Sequence, residues 1–173
     1  ALKSARILVD YGFPEKAEEL IAAIQSKAGD KISPADRTRL LLTEVRAAQA
    51  AGQTDRVGNL LDKLVEINPA DGEVLLELAR HKDKLARDEE DEEKRKEWVV
   101  EARTHYQLAV RSEAVAYPAN LAYGQMLVRE QRYTEALPVL QAALALKKSD
   151  SLEQYVSRVR RAADRQEDKK AKP

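Results

Sequence analysis

The sequence predicts an all-α array of stacked antiparallel helix pairs, and three observations carry that prediction. The first is composition: of 173 residues, 43% are hydrophobic and 35% charged, with six Gly and six Pro. Helices with one apolar and one charged face need that balance. The second is periodicity, with apolar residues recurring at helical spacing in Leu41, Val45 and Ala48, and again in Val57, Leu60, Leu61, Leu64 and Ile67. The third is self-similarity. Stretches 1–32, 38–71 and 117–150 share one register at a period of about 34 residues, the mark of stacked helical hairpins. Stretch 72–116 joins them once about 11 residues near 88–98 are removed, a length close to three helical turns.

The first repeat reads as incomplete, because Ala1 already falls inside a helical pattern. In the second, Ala51-Gly52-Gln53-Thr54-Asp55 supplies a Gly stop and a polar start between two apolar stripes, and Asn68-Pro69 ends the pair. Helices joined by so short a turn pack antiparallel, each burying its stripe against the other. The third repeat places Leu75, Leu78 and Ala79 on its first helix and Trp98, Ala102, Tyr106 and Ala109 on its second, separated by the run DEEDEEKRKE. Glu90 with Lys94, Asp91 with Arg95, and Glu92 with Lys96 each set an acid four residues ahead of a base, a pattern that supports helix. The second helix is therefore expected to start near Asp88 and project about three turns beyond its neighbours. The alternative shares the added length between both helices.

The fourth repeat carries Tyr123, Gly124 and Leu127 on one helix and Ala136, Leu140 and Ala143 on the next, with Tyr133 at the turn. Gly124 and Ala136 are expected at a close helix crossing, where a larger side chain has no room. A terminal helix follows over 151–166. Ser151 is its expected cap, Leu152, Tyr155, Val156, Val159 and Ala163 its apolar stripe, and Arg158, Arg160, Arg161 and Arg165 its outer face. Such a helix covers the last core face of a repeat array. Residues 167–173 read as a flexible tail.

With these residues in place, the chain resembles the tetratricopeptide repeat (TPR) family. The family's second-helix Ala falls on Ala17, Val57, Ala102 and Ala136, and its following large residue on Ile21, Leu61, Tyr106 and Leu140. Its second small residue falls on Ile24, Leu64, Ala109 and Ala143, and the first-helix small residue on Ala5, Val45, Ala79 and Gly124. The family's first-helix Trp is absent, its first-helix Tyr is replaced by Leu8, Ala48, Lys82 and Leu127, and Pro69 alone keeps the unit-ending Pro. The resemblance covers about 1–150. It implies one domain over 1–166, a right-handed superhelical solenoid of about four units with a C-terminal capping helix.

Several function classes find no support. Lys plus Arg and Asp plus Glu number 30 each, so no global field favours nucleic acid or an acidic membrane. No apolar run reaches the roughly 18 residues needed to span a bilayer. There is no Cys, and His81 and His105 share no metal-ligand spacing. Phosphate-cradling and nucleophile-elbow motifs are missing too. No catalytic residue, metal or cofactor is expected, and compartment is left open.

The resemblance implies that first helices line a concave surface. Leu2 and Arg6, Leu42 and Arg46, Leu76 and Arg80, then Leu121 and Gln125 stand four residues apart on those helices, so each pair shares a face. Arg129, Asp10, Gln49, Asp83 and Lys84 lie at the edge of the same surface. Stacking turns the pairs into a Leu ladder, suited to apolar burial, and a mostly Arg ladder, whose forked donors suit carboxylates. The family's best-known mode clamps a C-terminal carboxylate with Lys and Asn, and those types are missing at the corresponding places. An acidic amphipathic peptide is the expected partner of a scaffold or adaptor module. Three alternatives stay open: the Leu residues repair the core where Glu44 and Lys82 replace apolar side chains; the chain assembles with itself through its ends and charged extension; or it is an accessory domain of a larger protein. Self-association has a charge rationale, since 147–173 holds nine basic and five acidic residues and 72–101 seven basic and eleven acidic.

Overall fold

A computed structural model describes residues 2–28 and 31–170; Ala1 and the last three residues of the expected tail lie outside that range. The described chain is helical, with no strand among its residues. In order come α1 (Leu2–Asp10), α2 (Pro14–Ala28), α3 (Pro34–Ala50), α4 (Thr54–Ile67), α5 (Gly72–Asp88), α6 (Glu92–Ala109), α7 (Ala116–Arg129), α8 (Tyr133–Leu146) and α9 (Asp150–Lys170). A 3₁₀ turn, Glu113–Val115, precedes α7. The chain divides into two compact halves, Ala1–Glu77 and Leu78–Pro173, and the division falls inside α5.

One turn recurs in three of the helix pairs. After α1, Gly12 N–H donates to Val9 O (3.0 Å) and Phe13 N–H to Leu8 O (2.8 Å). Gly52 with Gln53, and Gln131 with Arg132, repeat the same two bonds after α3 and α7. This is a Schellman cap, which needs a left-handed residue at its centre. Gly12 (φ 80°) and Gly52 (φ 73°) take that conformation easily, whereas Gln131 (φ 57°) takes it against the preference of a residue with a Cβ. Helix starts are equally local in origin. Pro14 and Pro34 open α2 and α3, Ser33 Oγ accepts from Asp36 N–H (3.1 Å), and Asp71 Oδ1 accepts from the amides of Glu73 (2.8 Å) and Val74 (3.1 Å).

In the N-terminal half α1 packs on α2, α3 on α4, and α3 also on α1 and α2. In the C-terminal half α7 packs on α8 and on α6, and α9 covers α8. The repeat-defining residues form the core of each half: Ala17, Ile21, Val57, Leu61, Ala102, Tyr106, Ala136 and Leu140 are buried, as are Ala5, Val45, Ala79, Leu64, Ala109 and Ala143. Ile24 is half-buried. Gly124 marks the expected close crossing, since a Cβ built on it lies 2.5 Å from Leu140 Cγ.

The extension differs from the reading of a long projecting helix. α5 continues to Asp88 and α6 begins at Glu92, with lengths of 17 and 18 residues, so the added residues are shared between the two helices. The reason is Asp91. Its carboxylate accepts from the amides of Glu93 and Lys94, both at 3.0 Å, which makes it an N-cap in extended backbone and breaks the helix ahead of it. Of the three expected pairs only Glu92 with Lys96 forms as an ion pair (3.1 Å) among the described residues, joined by Glu93 (3.2 Å). In α9 the apolar stripe Leu152, Val156, Val159 and Ala163 is buried as expected. Its start is Asp150 rather than Ser151, with Glu153 N–H donating to Ser149 O (2.9 Å). The helix also runs past 166 to Lys170, and Gln166 Nε2 donates to Gln131 O (3.1 Å), which ties its last turns to the α7–α8 turn.

Glu44 and Lys82, which replace expected apolar side chains on first helices, each meet an opposite charge on the following second helix. Arg56 of α4 donates to Glu44 (2.9 Å) and to Glu18 of α2 (2.7 Å), and Glu101 of α6 pairs with Lys82 (2.6 Å). Arg56 and Glu101 immediately precede the buried Val57 and Ala102, so the two second-helix partners share one repeat position.

Candidate functional site

In the N-terminal half α1, α3 and the α2–α3 connection enclose an open groove of about 870 Å³. Its apolar surface comes from Leu2, Ile24, Ile32 and Leu42, of which Leu2, Ile24 and Ile32 also pack on the cluster of Ala5, Ile21 and Leu40. Basic residues surround it: Lys3 and Arg6 from α1, Lys31 from the connection, Arg39 and Arg46 from α3. Two of these are already neutralised. Arg39 pairs with Asp36 (3.4 Å) and Arg46 with Glu73 (3.3 Å). Lys3, Arg6 and Lys31 are exposed and pair with no carboxylate among the described residues. The groove therefore combines hydrocarbon with three exposed cations that no carboxylate among the described residues neutralises.

The C-terminal half holds a smaller hollow of about 290 Å³, lined by Arg80, Asp83, Arg87, Tyr106, Tyr117, Pro118, Leu121, Ala122, Gln125 and Arg129. Asp83 is buried and bound by Arg129, while Arg87 Nε donates to the Asp83 carbonyl (3.3 Å). Tyr106 and Tyr123 stack with ring centroids 5.7 Å apart, and Gln107 donates to the Tyr123 hydroxyl (3.2 Å). Burial pushes the Tyr106 phenol well above its ordinary range, and the Asp83 charge adds to the effect.

The expected binding residues thus fall into two groups. Leu2, Arg6, Leu42 and Arg46 meet in the first groove; Arg80, Leu121, Gln125 and Arg129 meet in the second hollow. Leu76 lines neither and is 3% exposed, a core residue, so the Leu ladder is interrupted there. Leu42, at 4% exposed, also packs mostly inward, as the core-repair alternative expects. Gln49 is engaged by Glu77 (3.0 Å), and Asp10, Gln49 and Lys84 line neither hollow. The sequence reading missed Lys3, Ile24, Lys31, Ile32 and Arg39. Arg39 was within reach, since it lies seven residues before Arg46 on the same helical face.

His81 is buried in α5, and His105 is half-buried in α6 with its Nδ1 enclosed and without a hydrogen-bond partner among the described residues. Desolvation lowers the His105 pKa, the charge of Lys82 lowers it further, and Glu101 opposes both. Among the described residues no three His, Cys, Asp or Glu side chains are grouped to hold a metal ion, and no helix is long and apolar enough to cross a membrane.

Successive antiparallel helix pairs, three of them joined by the same capped turn, define a helical-repeat fold of the TPR type. The crystal structure of a thermophilic TPR protein from Thermus thermophilus superposes with a TM-score of 0.73 at 19% identity, covering 92% of this chain and 81% of that one. The likeness is one of fold. No protein-family model matches the sequence, and no curated protein matches it.

Proposed function

We propose that the protein is a non-catalytic interaction module that holds an acidic amphipathic segment of a protein partner in the N-terminal groove. The observation that carries this reading is the juxtaposition of the half-buried Leu2, Ile24 and Ile32 with the uncompensated Lys3, Arg6 and Lys31. Hydrocarbon there gains from burial at about 25 cal/mol per Å², and each cation offers a charge-assisted hydrogen bond to a carboxylate. An amphipathic segment supplies both through one face, its apolar side inward and its acids at the edges. Arg39 and Arg46 contribute as well if the partner's carboxylates displace Asp36 and Glu73. In the C-terminal half, Arg80, Leu121, Gln125 and Arg129 border a smaller hollow in which Asp83 already engages Arg129.

The test is fluorescence anisotropy with a labelled synthetic helical peptide bearing Leu on one face and Glu on the other. Binding that weakens as salt rises is expected, with an affinity loss of about tenfold or more in an Arg6→Glu, Lys31→Glu variant. Both residues are exposed, so helicity is expected to be unchanged. Equal affinity in wild type and variant would rule the groove out.

A further inference from the structure

Arg80, Asp83 and Arg87 stand at i, i+3 and i+7 on α5, and Leu121, Gln125 and Arg129 at i, i+4 and i+8 on α7, so each set shares one helical face. The two faces meet in the hollow of about 290 Å³ in the C-terminal half, whose charged lining is three guanidinium groups and one carboxylate. Asp83 holds two of the three in place. Its buried carboxylate accepts from Nη2 of Arg129, and its carbonyl accepts from Nε of Arg87 (3.3 Å). A guanidinium carries five N–H donors in a fixed fork, so neither contact exhausts its residue. Arg80 and Arg87 are exposed, and the Arg129 side chain keeps 39% of its surface open to solvent. The charges of all three act on the buried Tyr106 phenol, so they converge around one side chain instead of spreading along the helices.

From this arrangement we infer that the hollow binds a phosphorylated side chain of a protein partner. Three positive charges against one negative match a phosphate monoester, which carries about −1.5 to −2 at neutral pH and presents three terminal oxygens to forked donors. An Asp or Glu side chain brings one negative charge and two oxygens in a plane, which leaves positive charge in the hollow unmatched. Beside the guanidinium groups lies hydrocarbon, the half-buried Pro118, Leu121 and Ala122. Such an edge covers the carbon stem of a side chain and gains nothing from a bare phosphate. The hollow lies wholly within Leu78–Pro173, so its occupancy does not depend on the N-terminal groove.

The test follows the Arg side-chain Nε–Hε signals of the whole chain by NMR during titration with a short Ala- and Ser-based peptide that carries a single phosphoserine. Parallel titrations use the same peptide unphosphorylated, the same peptide with Glu in that place, and inorganic phosphate. The phosphopeptide is expected to shift the Arg80, Arg87 and Arg129 signals saturably and to bind about tenfold or more tightly than the Glu peptide or inorganic phosphate. Arg80→Gln and Arg87→Gln, both at exposed positions, are each expected to weaken it by about tenfold with circular dichroism unchanged. Equal affinity for the phosphoserine and Glu peptides overturns the inference, and so does inorganic phosphate that matches the phosphopeptide, which makes the ligand a free anion. Phosphopeptide binding that both variants leave intact, or Arg signals that the phosphopeptide leaves unmoved, overturns it as well.

Discussion

Replacing Gly124 by Ala sets two effects of known size against each other. Helix propensity favours the change by about 0.8–1.0 kcal/mol, since Gly is the worst helix former after Pro. Packing opposes it. The added Cβ lies 2.5 Å from Leu140 Cγ and closer still to one of its methyl carbons, whereas carbon atoms rest about 3.5–4.0 Å apart. Leu140 is fully buried between α7 and α8, so it relieves the clash only by leaving its rotamer or by moving a helix. Overpacking of this kind costs about 1–3 kcal/mol. The net expectation is destabilisation of about 1 kcal/mol by urea denaturation followed at the helical band. Leu140→Ala alone costs about 2–5 kcal/mol through its cavity. In that background the obstacle is gone, and Gly124→Ala is expected to stabilise by about 1 kcal/mol. The sign of one substitution thus reverses with the other. Gly124→Ala stabilising by the same amount in both backgrounds would refute the close crossing.

Other consequences follow from individual contacts. Gln131→Gly relieves a left-handed residue at the cap of α7 while keeping the backbone bonds there, so the urea midpoint is expected to rise by an amount equivalent to about 0.5–1 kcal/mol. Arg56→Leu leaves Glu18 and Glu44 without their cation and is expected to cost about 1 kcal/mol, with the pair's partial exposure keeping the figure small. Adding Glu44→Leu should restore part of that loss in the same denaturation assay. His105 has a folded pKa below its unfolded value of about 6.5, so the unfolded chain binds the proton first. Stability is therefore full above about pH 6.5 and falls as pH drops toward the folded pKa. Thermal melts across this range should show a shallower acid-side decline in His105→Phe.

Local pattern carries far in this chain where the residue's environment repeats. Register alone assigns Ala17, Val57, Ala102 and Ala136 to one buried position, and all four are buried. The stripe of α9 is equally readable. Where two local preferences compete, the pattern misleads. The acid–base spacing over 90–96 favours a continuous helix, but Asp91 caps two amides at once, and that wins over exposed ion pairs of a few tenths of a kcal/mol. Leu2 and Leu76 occupy the same repeat position and look alike in sequence, yet Leu2 borders a groove and Leu76 is enclosed. Burial at that position depends on the neighbouring pair, which spacing within one helix does not encode. Lys31 and Ile32 lie in a connection, outside any periodic segment, so no helical pattern points to them as groove residues.

The proposed role of the protein depends on the N-terminal groove as the seat of an acidic amphipathic segment. Backbone amide spectra of the protein, titrated with the Leu- and Glu-faced peptide, locate the contact residue by residue. The expected result is a set of saturable shifts concentrated over Leu2–Arg6, Lys31–Arg39 and Leu42–Arg46. Shifts centred on α9, or a spectrum that the peptide leaves unchanged, would contradict it.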